Sequence, residues 1–500
     1  MLFRPDTGDL AAIGLNLSRV LLVVAAVMLI PAVLGFALGE TNDALSFVIA
    51  AALTASVGLV GEIILPRDID IDWQHGMMVA AVAWLVAPVF GAVPLHLSGH
   101  YGGFLDAYFD AMSGFVTAGL AVINDLDHLS DSVNLWRHLM HFLGGQGLML
   151  MALSLFAGGG GSVGMYVGEG REDRIVPNVQ RTAQIIWRVA LVYALIGVTL
   201  VFIVLIGAGV APARAIFHAI NLWIAAFDTG GFAPNAAGIW LYHSWSVEIA
   251  LGIFMVAGAL SFALHYQLWQ RRVGEMWRNI ETRLFALSIL GVFAVACVGL
   301  LRAGTYDSVN PLMRRAFFQV VSAHTGTGFS NIPGRLFVTD WGLLAPAAVV
   351  LAMGLGAMAG STAGGIKLIR LGLVAKAISE QMRRLTLPRS AVTIQTYHSG
   401  TRQVLSDQVV RSALTILLLY LVLYLFGAAV GLFYGYTFDQ AMFESTSAAA
   451  AVGLSIGIVG PTMPVWLKIT YILQMWIGRL EFVAVLALVG FIWSAYRGRV

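Results

Sequence analysis

Hydrophobic positions in this chain fall in long unbroken runs, with polar residues gathered between them. Runs near the length that crosses hydrocarbon predict spans at 13–38, 44–65, 74–95, 135–157, 184–209, 246–269, 284–303, 341–375, 410–434 and 466–494. Between paired runs lie four mixed segments too short to cross, near 104–117, 213–228, 312–326 and 439–451. Each ends in a stretch containing glycine, which reads as a short descending helix followed by an extended return. Backbone of that kind survives at membrane depth only where protein or water covers it. Four surface loops with incidental glycines would be the plainer reading.

The four segments share a pattern of an aromatic, a small polar residue four later, and then a glycine. The copies are Phe109, Ser113, Gly119; Phe217, Asn221, Gly230; Phe318, Ser322, Gly328; and Phe443, Ser447, Gly453. The glycine follows the aromatic by ten residues in three copies and by thirteen in the second, which predicts a short insertion there. Four similar units along one membrane chain suggest a pseudo-fourfold object with a pore. A filter that strips a cation of water needs a ring of carbonyl oxygens. Glycine lets the backbone turn carbonyls inward and leaves no side chain in the lumen. The flanking residues are mostly small: Thr117 and Ala118, Asp228 and Thr229, Gly326 and Thr327, Ala451 and Val452. The helix before each loop would aim its negative C-terminal end at the pore centre, which favours a cation. The ring of basic side chains expected of an anion pore does not occur.

Composition fixes the solvent and leaves the ion open. With 59% hydrophobic residues, 11% charged and a mean hydropathy of +0.82, the chain could not stay soluble as a monomer. The opening MLFRPDTGDL resembles the lead into a first span more than a cleaved signal peptide. The single cysteine, Cys297, sits in an apolar run, so no intrachain disulfide is possible and a buried, inert thiol is expected. Cations cluster at Arg171, Arg174 and Arg181; at Arg271, Arg272, Arg278 and Arg283; at Lys376, Arg383, Arg384, Arg389 and Arg402; and at Arg497 and Arg499. Ten spans and four re-entrant loops put all of these on one side, which makes that side cytoplasmic. Asp125, Asp127 and Asp131 then fall on the other side, where an acidic mouth would concentrate cations modestly, with ordinary solvated loop charge the equal alternative for each.

Several stretches carry a resemblance. They are SGFVTAG (113–119), WRHLMHFLGGQG (136–147), DTGGF (228–232), SFALHY (261–266), HTGTGF (324–329), GSTAGGIKLIR (360–370) and GRLEF (478–482). From about residue 70 to the C-terminus the chain resembles the pore subunit of the Trk/Ktr/HKT superfamily of potassium transporters, in its bacterial TrkH-like branch. The resemblance implies an all-α polytopic membrane protein of four pseudo-symmetric span–pore-loop–span repeats around one ion pore, plus two extra N-terminal spans. The expected division is 1–70 for the two N-terminal helices, then repeats at 71–165, 166–275, 276–405 and 406–500. It implies potassium uptake across the cytoplasmic membrane, with potassium as substrate and no cofactor in this chain. The filter would be Thr117, Ala118, Gly119, Asp228, Thr229, Gly230, Gly326, Thr327, Gly328, Ala451, Val452 and Gly453. Implied partners are membrane lipid, a second copy in a homodimer, and a TrkA-like cytoplasmic nucleotide-binding regulatory subunit, with no nucleic acid. The first loop (VTAGL) and the fourth (AVGLS) depart from the usual form of that branch.

Two elements would control flow. The predicted span 341–375 is interrupted by small residues, among them Gly354, Gly356, Gly360, Ser361, Thr362, Gly364 and Gly365. Glycine costs a helix about 1 kcal/mol against alanine, so a broken, movable gate is expected, as in the family, with close helix packing the alternative. Lys367 and Arg370 would follow at the cytoplasmic end, available to a regulator or to lipid phosphates. Arg479 lies deep in the last span, where a charge is costly unless it faces water or a partner. It reads as a cation below the filter that holds the gate loop by its carbonyls; an ion pair with Glu481 or Glu444 is the alternative. Glu62, Glu248 and Glu444 read as snorkelling or capping residues.

The histidines offer a rival reading. His138 and His141 stand one turn apart, with His218, His265 and His324 in other repeats, as a membrane metalloenzyme would want. No HExxH occurs, and His324 is placed to hydrogen-bond its pore helix. The nearer rival is a sodium-permeable or proton- or sodium-coupled symporter of the same fold. The chain has neither a GxGxxG strand–helix unit nor a P-loop, so nucleotide control would have to come from a partner.

Overall fold

A computed structural model describes residues 7–66, 72–123, 125–155, 162–169, 175, 178–388 and 394–497. Arg171, Arg174, Arg389 and Arg499, and the side chain of Arg497, lie outside the described residues. The apolar runs form helices because only a helix satisfies its own backbone in hydrocarbon. Among the described residues, six are long and apolar enough to cross a membrane, and two further pairs qualify as bent spans.

The chain opens with α1 (Thr7–Leu38) and α2 (Thr41–Ile64), which pack along each other and are tied by an Arg19–Glu62 ion pair of 3.2 Å. Next come α3 (Trp73–Leu97), α4 (Phe104–Phe115), α5 (Asp131–Gln146), α6 (Leu148–Leu155) and α7 (Ser162–Gly168). They are followed by α8 (Val179–Gly207), α9 (Pro212–Phe227), α10 (Trp245–Ala259), α11 (Phe262–Trp269) and α12 (Gly274–Arg278). The third group is α13 (Ile280–Ala303), α14 (Val309–His324), α15 (Leu336–Thr339), α16 (Leu344–Gly354) and α17 (Leu368–Thr386). A hairpin of β1 (Thr396–Ser399) and β2 (Thr401–Val404) leads to α18 (Asp407–Phe433), α19 (Phe438–Ala449), α20 (Val465–Arg479) and α21 (Val483–Arg497). The short helices α4, α9, α14 and α19 each pack against the long helix before them and against a shorter one after them, α5, α10, α16 and α20. Their C-terminal halves are buried at the centre of the molecule, and the long helices turn Leu, Ile, Val and Phe outward.

The second helix in each of these groups is broken. Hydropathy alone predicts continuous spans at 135–157, 246–269 and 466–494, and a break only within 341–375. The structure corrects the first three: α5 gives way to α6 at Gly147, α11 leaves α10 at 101°, and α21 leaves α20 at 108°. Apolar residues continue across all three breaks, so a sliding average passes over them. What decides the break is close packing. A Cβ on Gly144, Gly258 or Gly478 would collide with the carbonyl oxygen of Phe115, Phe227 or Ala449, the last helical residue of α4, α9 and α19. Bare backbone lets each second helix cross directly over the end of a short one, and the chain then turns aside. The β-hairpin is a further addition to the all-helical expectation. Its strands pair antiparallel about Gly400, with Thr396 opposite Val404.

Candidate functional site

The four short helices end in one hydrogen-bond register. After α4, Thr117 N donates to Gly114 O (3.1 Å) and Ala118 N to Ser113 O (2.8 Å). After α9, Thr229 N donates to Ala226 O (3.3 Å) and Gly230 N to Ala225 O (2.8 Å). After α14, Gly326 N donates to Ala323 O (3.2 Å) and Thr327 N to Ser322 O (3.0 Å). After α19, Ala451 N donates to Ala448 O (3.2 Å) and Val452 N to Ser447 O (2.9 Å). Thr117, Thr229, Gly326 and Ala451 are therefore equivalent, and all are left-handed, with φ of 58°, 50°, 72° and 51°. Two residues on stand Gly119, Gly231, Gly328 and Gly453, left-handed again.

This register corrects the second copy. Its equivalent of Gly119 is Gly231, one residue beyond Gly230, and Ala225 answers to Ser113. Asn221 then occupies the aromatic's place, the spacing is ten as elsewhere, and there is no insertion. Phe217, one turn earlier on α9, supplied a false match.

The loops meet in a closed ring. A Cβ on Gly119 would strike the Gly230 carbonyl; on Gly231, the Thr327 carbonyl; on Gly328, the Val452 carbonyl; and on Gly453, the Ala118 carbonyl. Each loop thus touches the next, and the fourth returns to the first. Thr117, Thr229 and Ala451 hold a left-handed conformation that costs a residue with a Cβ about 1–2 kcal/mol. All three are fully buried, so the packed surroundings impose it.

The segment between α16 and α17, residues 355–367, lies across one end of this ring. Thr362 Oγ1 reaches the Phe227 and Gly258 carbonyls (3.1 and 3.0 Å) and the Thr229 hydroxyl (3.0 Å). Gly364 lies against the Ala450 carbonyl, and Ala363 faces Gly326. Gly354 O accepts from Tyr424 (3.3 Å), Gly360 O accepts from Phe262 N (3.2 Å), and Ser361 Oγ donates to Met358 O (2.6 Å). Gly356 packs on Gly364 and Gly365, folding the segment back on itself. Arg479 completes the cover. Its guanidinium donates to Thr362 O (2.7 Å), Gly144 O (2.5 Å) and Thr117 Oγ1 (3.2 Å). Segment and arginine together touch Thr117, Thr229, Gly326 and Ala451, the first left-handed residue of every loop, so all four loops are contacted from one end.

Neighbouring charges are arranged around this cover. Glu481 pairs with Arg370 at 2.5 Å and with Lys367 at 3.7 Å, and Lys367 Nζ also donates to Ala363 O. Lys367 and Arg370 are buried, which corrects the expectation that they stand available for docking. Glu444 is turned elsewhere, accepting from Ser455 Oγ (2.6 Å), Ile456 N (2.9 Å) and Ile458 N (3.2 Å). Two of its three register equivalents also brace the ring's surroundings, the third being Leu222. Gln319 donates to Ser330 and Asn331, and Asp110 accepts from Tyr101 and Arg137, both at 2.8 Å. Glu248 pairs with Arg314 at 2.8 Å.

The histidines act as struts. His141 bonds the Gly114 carbonyl (2.8 Å) and Phe232 N (3.3 Å), and His138 bonds the Phe232 carbonyl (3.1 Å). His324 reaches Ser288 on α13 (2.7 Å), tying α14 sideways rather than bonding along its own helix. His265 and His218 bond Tyr193 and Tyr242. No group of three metal-ligating side chains occurs among the described residues. Cys297 is half-buried, not enclosed.

Besides Gly231, a buried acid escaped sequence reasoning. Glu281, buried in the first turn of α13, accepts from Ala359 N (2.8 Å) and Ile369 N (3.1 Å), either side of the glycine-rich turn. An acid opening an apolar helix reads as an ordinary N-terminal charge, so the signal was present but ambiguous.

The geometry has counterparts among known proteins. The chain is 29% identical over 482 residues to an uncharacterized cation transporter of Methanocaldococcus jannaschii, covering 96% of this chain and 95% of that one. It is 26% identical over 494 residues to the Trk system potassium uptake protein TrkH of Halomonas elongata, covering 95% and 97%. The crystal structure of the potassium transporter TrkH from Vibrio parahaemolyticus superposes with a TM-score of 0.82 at 23% identity, over 96% of this chain and 98% of that one, so the fold is shared. The family of TrkH cation transport proteins matches residues 45–492, nearly the whole span from α2 to α21. That family transports cations and is not one of enzymes, which removes the metalloenzyme reading. A multi-pass helical membrane protein with four short helices converging on one ring, this chain belongs to the TrkH family of cation transport proteins.

Proposed function

We propose that the chain carries potassium inward across the cytoplasmic membrane through the ring formed by 117–119, 229–231, 326–328 and 451–453. The single observation supporting this is the closure of that ring, glycine against neighbouring carbonyl, four times in succession. Backbone carbonyls there replace the ion's hydration shell, and the negative ends of α4, α9, α14 and α19 add to the attraction. The repeats at 71–165, 166–275, 276–405 and 406–500 each give one quarter. Entry is driven by membrane potential, each inward charge gaining about 2.3 kcal/mol per 100 mV. The segment 355–367 with Arg479 is the gate. In the arrangement described, a guanidinium and a stretch of backbone stand across the ion's exit, a closed state. Opening requires the Arg479–Thr362 and Glu281–Ala359 bonds to break, and a cytoplasmic nucleotide-binding subunit is the partner that supplies the work. A homodimer is the assembly proposed.

The test is expression in a bacterium lacking its own potassium uptake, with rubidium and sodium influx measured at micromolar to millimolar potassium, alone and with a regulatory subunit co-expressed. Growth rescue, with rubidium influx that potassium competes away, is expected. Sodium influx without rescue would overturn potassium as the substrate and favour the sodium-permeable reading.

A further inference from the structure

Away from the ring, a pocket of about 340 Å³ opens where α12, α13, α17 and the β-hairpin meet. Its walls carry Arg278, Arg283, Lys376 and Arg402, with His398 and Tyr397 beside them. The acid nearby, Glu275, is engaged by His398 at 2.6 Å, and none of the four cations forms an ion pair among the described residues. Three of them are held in place by one bond each. Lys376 Nζ donates to Thr396 O (2.8 Å), Arg402 Nε to Thr396 Oγ1 (3.0 Å), and Arg283 Nε to Trp277 O (2.5 Å). Both arginines are anchored through Nε, which orients their terminal nitrogens without using them. Four positive charges around one cavity, three of them held by hydrogen bonds, fit a phosphate oxygen cluster.

Depth decides whose phosphate. Arg283 lies in the first turn of α13, an apolar helix long enough to cross the membrane. Leu287 and Leu290 follow it at i+4 and i+7, on the same face, and are 66% and 60% exposed. Beside the pocket Trp277 is 67% exposed, as a side chain at the headgroup boundary would be. Charge above and bare leucines below describe the outline of a lipid. We infer that this pocket binds the phosphate headgroup of an anionic phospholipid, whose acyl chain lies along the Leu287–Leu290 face of α13.

The test uses the full chain, purified in mild detergent and titrated with phosphatidylglycerol or phosphatidylcholine, bound lipid being counted by native mass spectrometry. Phosphatidylglycerol should be retained in preference, and Arg283→Gln with Arg402→Gln should weaken retention at least about tenfold, since each basic residue near a membrane surface contributes about 1 kcal/mol. The control, Arg383→Gln with Arg384→Gln, removes the same charge from the last turn of α17 and should leave retention unchanged. Equal loss in both variants would reduce the effect to general charge and overturn the pocket. Retention of both lipids alike would overturn the headgroup assignment. Displacement of lipid by millimolar inorganic phosphate, with no dependence on Leu287→Ser, would assign the pocket to a soluble phosphate and overturn the lipid. A matched monodisperse elution profile keeps misfolding out of the comparison.

Discussion

At the scale of single residues, the ring is built from atoms that every amino acid possesses, so its sequence tolerance is set by space rather than side-chain chemistry. Gly328 sits against the Val452 carbonyl with no room for a Cβ. Gly328→Ser should therefore displace a carbonyl and lower potassium-over-sodium selectivity in reconstituted vesicles; unchanged selectivity would remove the third loop from the filter. Arg479 is different, since its chemistry matters. Arg479→Ala leaves the Thr362 carbonyl without that donor, at about 1–3 kcal/mol, and takes a positive charge off the proposed ion path. Basal rubidium influx without a regulator should rise several-fold, while a fall would argue that the guanidinium props the path open. The glycines were legible because a residue lacking a side chain stands out among apolar neighbours. Gly231 was not, because the spacing was counted from Phe217, and only the backbone bonds at the end of α9 reveal where the helix stops.

At the scale of elements, the sequence displayed the helices and concealed their breaks. Hydropathy measures how well a segment suits hydrocarbon, and α10 with α11, or α20 with α21, suit it equally on both sides of a turn of about 100°. The interruption at 355–367 was legible because small residues accumulate there; the others rest on single glycines that cross a carbonyl. Gly258→Ala is the direct probe. It forces α10 off the end of α9, at about 1–3 kcal/mol of overpacking, and should lower the melting temperature of purified protein, whereas Gly252→Ala, with open space around it, should not. Glu281 is an element-scale residue too, since it joins the start of α13 to the 355–367 segment at Ala359 and to the start of α17 at Ile369. Glu281→Gln keeps the shape and weakens each bond by about 1 kcal/mol. Basal influx should increase with stability little changed, and normal gating in that variant would show that the segment is held elsewhere.

At the scale of the whole molecule, four short helices of one chain converge on one ring, and N-terminal helices α1 and α2 pack outside them against α3 and α5. The broad architecture was readable from apolar runs and repeated glycines. The order in which the loops meet was not, because it depends on contacts between residues as far apart as Ala118 and Gly453. A ring drawn from a single gene product has a consequence for how it changes over generations. In a pore assembled from four identical subunits, every substitution arrives fourfold, so a modest alteration becomes a drastic one. Here a substitution enters one quarter and presses only on the neighbour that quarter touches, leaving the others as they were. Threonine, threonine, glycine and alanine already stand at the equivalent left-handed position. Such a ring can drift by quarter steps, and as the proposed filter its preference among ions can be retuned gradually without ever passing through a broken pore.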